Sequence, residues 1–264
     1  MSIFAIVLQN CRKTLQKVFS QRLYMYVYNK GWVKSYPLRP VRHYSNLVMP
    51  QDMVGDLIDT IHMFLYSETI RNFIRKFDMP LKKTIRIEGV DGSSKMELVH
   101  MLATTYNKDI YDFSEITNFD DLRHAMKLVR DRRGFLLCHG DFKMTVLQRK
   151  FCKLLSEIDW KHPMVCFLVN DFNSQKSKYL PDQGVDYNVY IPCLDIQQIR
   201  QIYRHMIGGD DYEEEELVVQ KLLTSHTNVG EVRQWLIQVA HKIIGRKESI
   251  SDLLDDFSNL NRGS

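Results

Sequence analysis

Strand and helix patterns alternate along the chain between about residues 80 and 192, and this alternation constrains the fold most strongly. Short apolar runs predict strands at KTIRIEG, KDIYDF, GFLLCHGDF, PMVCFLVND and VDYNVYIPC. Between these runs, apolar residues recur every three or four positions, which is typical of amphipathic helices. Because strands separated by helices pair side by side in parallel, the order predicts an α/β domain whose sheet is covered on both faces.

The segments on either side of this region have a different character. A helical period runs from Asp52 to about Phe77, and Pro80 ends it because the residue before a proline is biased away from helix. Beyond Pro192 four helical patterns follow without a strand. We therefore expect a basic N-terminal arm at residues 1–50, an α/β domain at 51–193 and a small helical lid at 194–264.

Basic residues dominate the arm. Eight lysine and arginine residues precede Asp52, the first acidic residue, and apolar residues of the first 23 positions share one helical face. Such a segment is typical of mitochondrial targeting, of a helix on an anionic membrane surface or of an ordinary docking helix, and these alternatives stay open. We expect membrane-surface contact through residues 1–30. The aromatic stretch Tyr24–Tyr36 either contacts partner proteins or packs on the domain's own sheet.

A glycine-containing turn links the first predicted strand to the following helix and matches most of a phosphate-binding loop. The template is G-x-x-x-x-G-K-[ST], in which backbone N–H groups surround phosphates and the lysine pairs with them. The matching residues, and the expected nucleotide contacts, are Gly89, Asp91, Gly92, Ser93, Ser94, Lys95 and Met96. The layout predicts ATP or ADP as a ligand.

Two positions depart from this template. Ser94 replaces the last glycine, which is costly only where the backbone needs a positive φ or the phosphate must touch the Cα atom. Met96 replaces the hydroxyl that binds Mg²⁺ in working loops, and a thioether is a poor ligand for a hard cation. Mg²⁺ binding is therefore doubtful. The scattered cysteines and histidines show no metal-ligand spacing, so we expect no other metal site.

The stretch MVGDLIDTIHMFLYSETIRNFIRKFDMPLKKTIRIEGVDGSSKMELVHMLATTYNKDIY resembles the entry to an AAA ATPase domain. The resemblance is closest to the Bcs-type AAA family, whose namesake acts in assembly of mitochondrial respiratory complex III, and it covers roughly residues 42–245. It implies a P-loop sheet flanked by helices, followed by a helical lid. In that family an acidic strand end similar to LLEDID organises the metal and activates water.

The matching strand end here lacks those acids. Cys138 and His139 stand at the two acidic positions, and Asp141 follows two residues late. Asn170 occupies the position of the polar sensor on the next central strand. The stretch similar to RPGRVD is residues 181–186, which contain neither arginine. Arg200 and Arg204 are the nearest candidates to replace them.

The resemblance therefore implies a degenerate enzyme with no catalytic residues in place. We expect a structural or assembly subunit of a larger, mitochondrial complex, on the matrix side or associated with the inner membrane, with protein partners and retained nucleotide binding. One alternative is an active ATP-dependent chaperone or translocase that uses Asp91 and Asp141 for metal. Another is a cytoplasmic protein, or a nucleic-acid-binding factor that uses the arm. The acidic run DDYEEEE at 210–216 argues against nucleic acid.

Overall fold

A computed structural model describes residues 22–38, 49–90, 92–139, 145–171, 184–192 and 194–207, together with residues 216, 219, 220, 222 and 232. Its seven strands are β1 (Tyr24–Tyr28), β2 (Trp32–Pro37), β3 (Lys82–Gly89), β4 (Asp109–Asp112), β5 (Gly134–His139), β6 (Met164–Asp171) and β7 (Tyr187–Ile191). They form one sheet in the order β2-β1-β4-β5-β6-β3-β7. β1 and β2 are antiparallel, and the other neighbouring strands are parallel.

Six helices accompany the sheet in the described residues: α1 (Gln51–Tyr66), α2 (Glu68–Lys76), α3 (Lys95–Thr105), α4 (Phe119–Val129), α5 (Thr145–Glu157) and α6 (Ile196–Ile207). The single helix predicted from Asp52 to Phe77 is therefore two helices. The break falls at Ser67, whose backbone is extended and whose hydroxyl accepts a hydrogen bond from the Ile70 N–H. A serine at this position favours a new helix start, because its oxygen caps a free N–H group.

The core consists of two apolar layers, one on each face of the sheet. The first layer contains α1 and α3 side chains packed on alternate residues of the central strands, such as Leu137 and Val169. The second contains α4 and α5 side chains packed on the intervening residues, such as Cys138 and Leu168. This alternation follows from strand geometry, in which successive side chains point to opposite faces. The predicted α/β architecture, with helices on both faces of a mostly parallel sheet, is confirmed.

The winding of the chain reverses next to β3. Helix α3 follows β3 on the first face, whereas α4 and α5 follow β4 and β5 on the second face. β3 lies between β6 and β7, so the loop after it stands at the carboxyl end of a central strand. In open parallel sheets ligands bind in the crevice where the winding reverses. The fold thus places the loop at residues 89–95 where a ligand site is expected.

Part of the segment assigned to the arm belongs to the sheet. Residues 24–37 form the β1–β2 hairpin, and β1 pairs in parallel with β4 through Met25 and Ile110. The aromatic side chains of the hairpin pack on the domain itself: Tyr26 stacks on Tyr111 with ring centroids 5.0 Å apart. The packing of Tyr26 therefore agrees with the second of the two roles left open for this stretch. Residues 1–21 lie outside the described residues.

The described part of the predicted lid is small. Helix α6 and seven further residues are described between positions 194 and 232. Ile199, Ile202 and Tyr203 of α6 are buried, as are Val219 and Leu222. The other helical patterns predicted beyond α6 lie largely outside the described residues.

Candidate functional site

The loop after β3 begins at a glycine that has no room for a side chain. A Cβ atom built on Gly89 would lie 2.8 Å from the Ser93 hydroxyl oxygen and 2.9 Å from the Ile191 carbonyl oxygen. The second contact is with the backbone of β7, which pairs with β3 at this level. Gly89 is therefore required by the close approach of β7 and by the tight return of the loop.

Two residues of the loop adopt a left-handed backbone. Gly92 has φ 71°, and Ser94 has φ 64° with ψ 22°. Glycine reaches this region freely, whereas a residue with a Cβ atom pays on the order of 1–2 kcal/mol. The positive φ that would make the replacement of glycine by Ser94 costly is present, so this position carries backbone strain.

The Lys95 side chain folds back into the loop. It is only 6% exposed, and its Nζ donates to the carbonyl oxygens of Gly89 and Val90 and to the Ser93 hydroxyl. A buried ammonium is unfavourable unless oxygen atoms surround it, and these three neutral oxygens fill that role. An anion brought to the loop would offer the ammonium a stronger, charge-assisted partner.

Met96 packs against the core. Its half-buried side chain packs against the apolar layer formed by α1 and α3. A threonine or serine at this position would present an oxygen to a bound cation, whereas the methionine presents a thioether among aliphatic groups. Asp91, the other loop residue that the sequence assigned to the site, lies outside the described residues.

The end of β5 carries no acid. Cys138 is buried in the second apolar layer, and burial raises the pKa of its thiol well above the usual range. His139 lies on the first face and its Nε2 is 3.1 Å from the Asp112 Oδ2 atom at the end of β4. Asp112 is 5% exposed and also accepts hydrogen bonds from the Ser114 N–H and hydroxyl.

The sequence reasoning missed Asp112. The signal was an acid one residue before the end of the predicted strand KDIYDF, because the carboxyl ends of parallel strands share one edge of the sheet. Its pairing with His139 follows from the β4–β5 register, in which Asp112 is aligned with Leu137. A single sequence does not supply that register.

Asn170 lies at the end of β6, opposite Glu88 of β3. Its Nδ2 atom is buried and has no hydrogen-bond partner among the described residues. Val169 packs in the first layer and Leu168 in the second, so the alternation along β6 directs Asn170 to the α4–α5 face. The loop and Asn170 therefore lie on adjacent strands but not on the same face of the sheet.

Two of the remaining candidates, Arg200 and Asp186, pair with residues outside the loop. Arg200 pairs with Glu216 within the C-terminal helical region, which is a packing role. Asp186 accepts hydrogen bonds from the Thr84 N–H and from Lys82 Nζ, and so fixes the start of β7 against β3. Asp141 and residues 181–183 lie outside the described residues.

The N–H groups and the positive charge of the loop suit a phosphate better than a magnesium ion. Gly92 and the start of α3 provide N–H groups that lack partners within the helix, and Lys95 provides a positive charge. Mg²⁺ prefers oxygen ligands, whereas Met96 and Cys138 carry sulfur at the two positions where the resemblance expects oxygen. The described residues therefore fit a nucleotide phosphate and do not fit its usual cation.

A separate hollow lies at the opposite, amino end of the sheet. It has a volume of about 760 Å³, and its lining is half apolar, including Met63, Ile70 and Ile74 of α1 and α2. Lys82, which also lines it, is ion-paired with Asp186 at 3.0 Å. This hollow is distinct from the loop at the carboxyl end of β3.

Two further findings concern the described residues only. No group of three or more histidine, cysteine, aspartate or glutamate side chains there is arranged to hold a metal ion. No helix in the described ranges is long and apolar enough to span a membrane. Cys138, Cys152 and Cys166 are buried free thiols.

No protein-family model and no curated protein matches this chain in sequence.

Proposed function

We propose that the chain is a catalytically degenerate AAA-like protein of the Bcs type that binds ATP or ADP without hydrolysing it. In this proposal it serves as a structural or assembly subunit of a larger mitochondrial complex. The observation that carries the proposal is the position of Lys95, buried in the loop at the carboxyl end of a central strand. A lysine charge is seldom buried, and here it lies at the point where the winding of the sheet reverses.

The loop supplies the interactions that a phosphate chain needs. Its two left-handed residues turn the backbone so that successive N–H groups face one concavity, and α3 begins immediately behind it. The helix dipole adds roughly half a positive charge at that end. Lys95 Nζ, which donates to three oxygens of the loop, is placed to donate charge-assisted hydrogen bonds to phosphate oxygens.

The same residues argue against hydrolysis. Phosphoryl transfer depends on a metal ion and on a group that orients the attacking water. Met96 and Cys138 are packing residues, and His139 is engaged with Asp112. The strand order and the helix positions are compatible with the layout that the AAA resemblance implies.

Exposed apolar side chains support a role in a larger assembly. Met63, Tyr66, Phe73, Phe77 and Met79 of the α1–α2 region are each between 42% and 58% exposed. Clustered exposed apolar groups commonly mark contacts with other proteins. The basic composition of the arm favours a mitochondrial location, associated with the inner membrane or the matrix.

The test is a titration of the purified chain with ATP and with ADP, accompanied by measurement of phosphate release. We expect saturable binding that is lost in Lys95→Ala, with no phosphate release above the spontaneous rate. The matched control is Lys153→Ala, which changes an exposed lysine of α5 that pairs with Glu157 in its own helix. Turnover at the rate of ordinary AAA enzymes would refute the proposal, and so would binding that Lys95→Ala leaves intact.

A further inference from the structure

Three basic residues meet at the amino edge of the sheet, opposite the edge that carries the loop. Lys108 and Arg133 immediately precede β4 and β5, and Arg22 stands two residues before β1. These three strands are parallel neighbours, so their amino ends share one edge. Asp109 is aligned with Gly134, and one residue earlier Lys108 therefore stands beside Arg133, with Cα atoms about 4.8 Å apart.

The three side chains line a pocket with a volume of about 580 Å³, which we call the basic pocket. Sites for small organic ligands commonly have volumes of roughly 300–1,000 Å³. Arg22 and Arg133 are exposed and Lys108 is half-buried, so the pocket is open to solvent. The other lining residues come from the start of β1 and from the ends of α1 and α3: Leu23, Tyr66, Tyr106, Asn107 and Asp109.

The positive charges of the basic pocket lack a counter-charge. In the part of the chain that the structure describes, no carboxylate forms an ion pair with Arg22, Lys108 or Arg133. Asp109 is the only acid among the described lining residues, and its Oδ1 atom accepts a hydrogen bond from the Tyr24 N–H. Three cations and one carboxylate leave a net positive charge of two. The pocket therefore favours an anion.

The fold holds Lys108 in this unfavourable setting. Burial lowers the pKa of the Lys108 ammonium, and the positive charge of Arg133 lowers it further. Asn107 ends α3 with φ 53°, and the Lys108 N–H donates to the Ala103 carbonyl oxygen at 2.9 Å, so the backbone fixes where the lysine stands. A bound anion would offset both the desolvation of the ammonium and its repulsion by Arg133.

The remaining wall of the basic pocket is aromatic. The rings of Tyr66 and Tyr106 lie with their centroids 6.2 Å apart. The Tyr106 hydroxyl donates to the Ile58 carbonyl oxygen, which leaves the ring as an apolar surface. A bare inorganic ion would leave most of the volume unfilled. The lining thus suits a ligand that joins an anionic group to a flat or apolar part.

We propose that the basic pocket binds the phosphate monoester of a small organic molecule, with the phosphoryl group on Lys108, Arg133 and Arg22 and the organic part against the two tyrosines. A phosphate monoester carries about −1.5 to −2 charges at pH 7, which matches the net charge of the pocket, whereas a carboxylate carries one. Arginine side chains donate paired hydrogen bonds to phosphate oxygens. This pocket and the loop lie at opposite edges of the sheet, so the inference does not depend on nucleotide binding.

The experiment is a calorimetric titration of the purified chain with phenyl phosphate. We expect saturable binding at one site per chain. Diphenyl phosphate, a diester with a single negative charge, should bind at least tenfold more weakly, and phenol should not bind. Lys108→Met keeps the length of the side chain and removes its charge, so it should weaken phenyl phosphate binding at least tenfold, because a charge-assisted hydrogen bond is lost. Lys108→Arg should retain most of the affinity.

Two variants serve as controls. Lys153→Met removes an exposed charge from α5 and should leave the affinity for phenyl phosphate unchanged. Lys95→Ala removes the cation of the loop and should also leave it unchanged. Urea denaturation establishes that each variant is folded, and Lys108→Met should be no less stable than the wild type, since it removes a repulsion. Arg133→Gln, at an exposed position, gives a second test of the same pocket and should weaken binding as well.

The outcomes separate this inference from the proposed function. The basic pocket is refuted if phenyl phosphate does not bind the wild type, or if Lys108→Met and Arg133→Gln both leave its affinity unchanged. Binding that Lys95→Ala abolishes and Lys108→Met leaves intact places the ligand in the loop, and also overturns the inference. Phenyl phosphate binding that needs Lys108, in a chain that binds neither ATP nor ADP, supports the basic pocket and overturns the proposed function.

Discussion

Replacing Ser94 by glycine tests the strain in the loop. Ser94 has φ 64°, and its side chain makes no capping hydrogen bond to α3. The left-handed conformation costs a residue with a Cβ atom about 1–2 kcal/mol, and glycine avoids this cost. Against this gain, glycine loses roughly 0.5–1 kcal/mol more conformational freedom on folding. We expect Ser94→Gly to raise the free energy of unfolding by about 0.5–1 kcal/mol.

Ser94→Ala separates strain from side-chain contacts. Alanine keeps the Cβ atom and removes only the hydroxyl, so its stability should equal that of the wild type within about 0.5 kcal/mol. Urea denaturation, fitted with one common slope, measures the free energy of unfolding of the three proteins. The melting temperature of the glycine variant should be higher than that of the wild type by about 1–4 °C. A glycine variant that is less stable than the wild type would show that the position is unstrained. A large loss in the alanine variant would show that the hydroxyl, not the backbone, decides the stability.

Two further predictions concern Gly89 and Tyr106. Gly89→Ala should lower the free energy of unfolding by about 1–3 kcal/mol in urea denaturation, because the new methyl group would lie 2.9 Å from the Ile191 carbonyl oxygen. Gly31→Ala is the control and should not destabilise the fold, since nothing lies within 4 Å of its added Cβ atom. Equal effects of the two substitutions would contradict the packing argument. Burial raises the pKa of Tyr106 to about 12, with smaller contributions from Tyr66 and Asp59, and its hydroxyl donates to the Ile58 carbonyl. Because the tyrosine ionises near pH 10 in the unfolded chain and near pH 12 in the folded one, the free energy of unfolding should fall as pH rises from 10 to 12. Tyr106→Phe should remove the contribution of this residue to that decrease. Urea denaturation at stepped pH values measures both.

The order of secondary structure could be predicted from the sequence because apolar periodicity is a local signal. The strands β3 to β7 and the helices between them all lie near their expected positions. Asn118 caps α4 by accepting a hydrogen bond from the Asp121 N–H, which is a role that asparagine favours at a helix start. The β1–β2 hairpin also had a local signal, because two runs rich in aromatic and β-branched residues flank Asn29-Lys30-Gly31. The basic residues around this segment led to its assignment to the N-terminal arm instead of to the sheet.

The chemistry of the site depended on information that is not local. Whether Ser94 needs a positive φ is fixed by how the loop returns to α3 against β7, and only the folded chain shows it. The partner of His139 depends on the register between β4 and β5, which joins residues 27 positions apart. The resemblance to an AAA loop identified which positions to compare, but it described what Met96 and His139 lack rather than what they do.

The positions that depart from the hydrolytic pattern have each acquired another role in this fold. Met96 fills part of the layer beneath α3, Cys138 fills part of the opposite layer, and His139 is hydrogen-bonded to the buried carboxylate of Asp112. Restoring a threonine or an acid at one of them would therefore remove packing or leave a buried charge unpaired before it rebuilt a metal site. Because the three roles lie on both faces of the sheet, a working metal site would require coordinated changes in two separate cores. In the proposed function, hydrolysis would therefore not be restored by a single substitution.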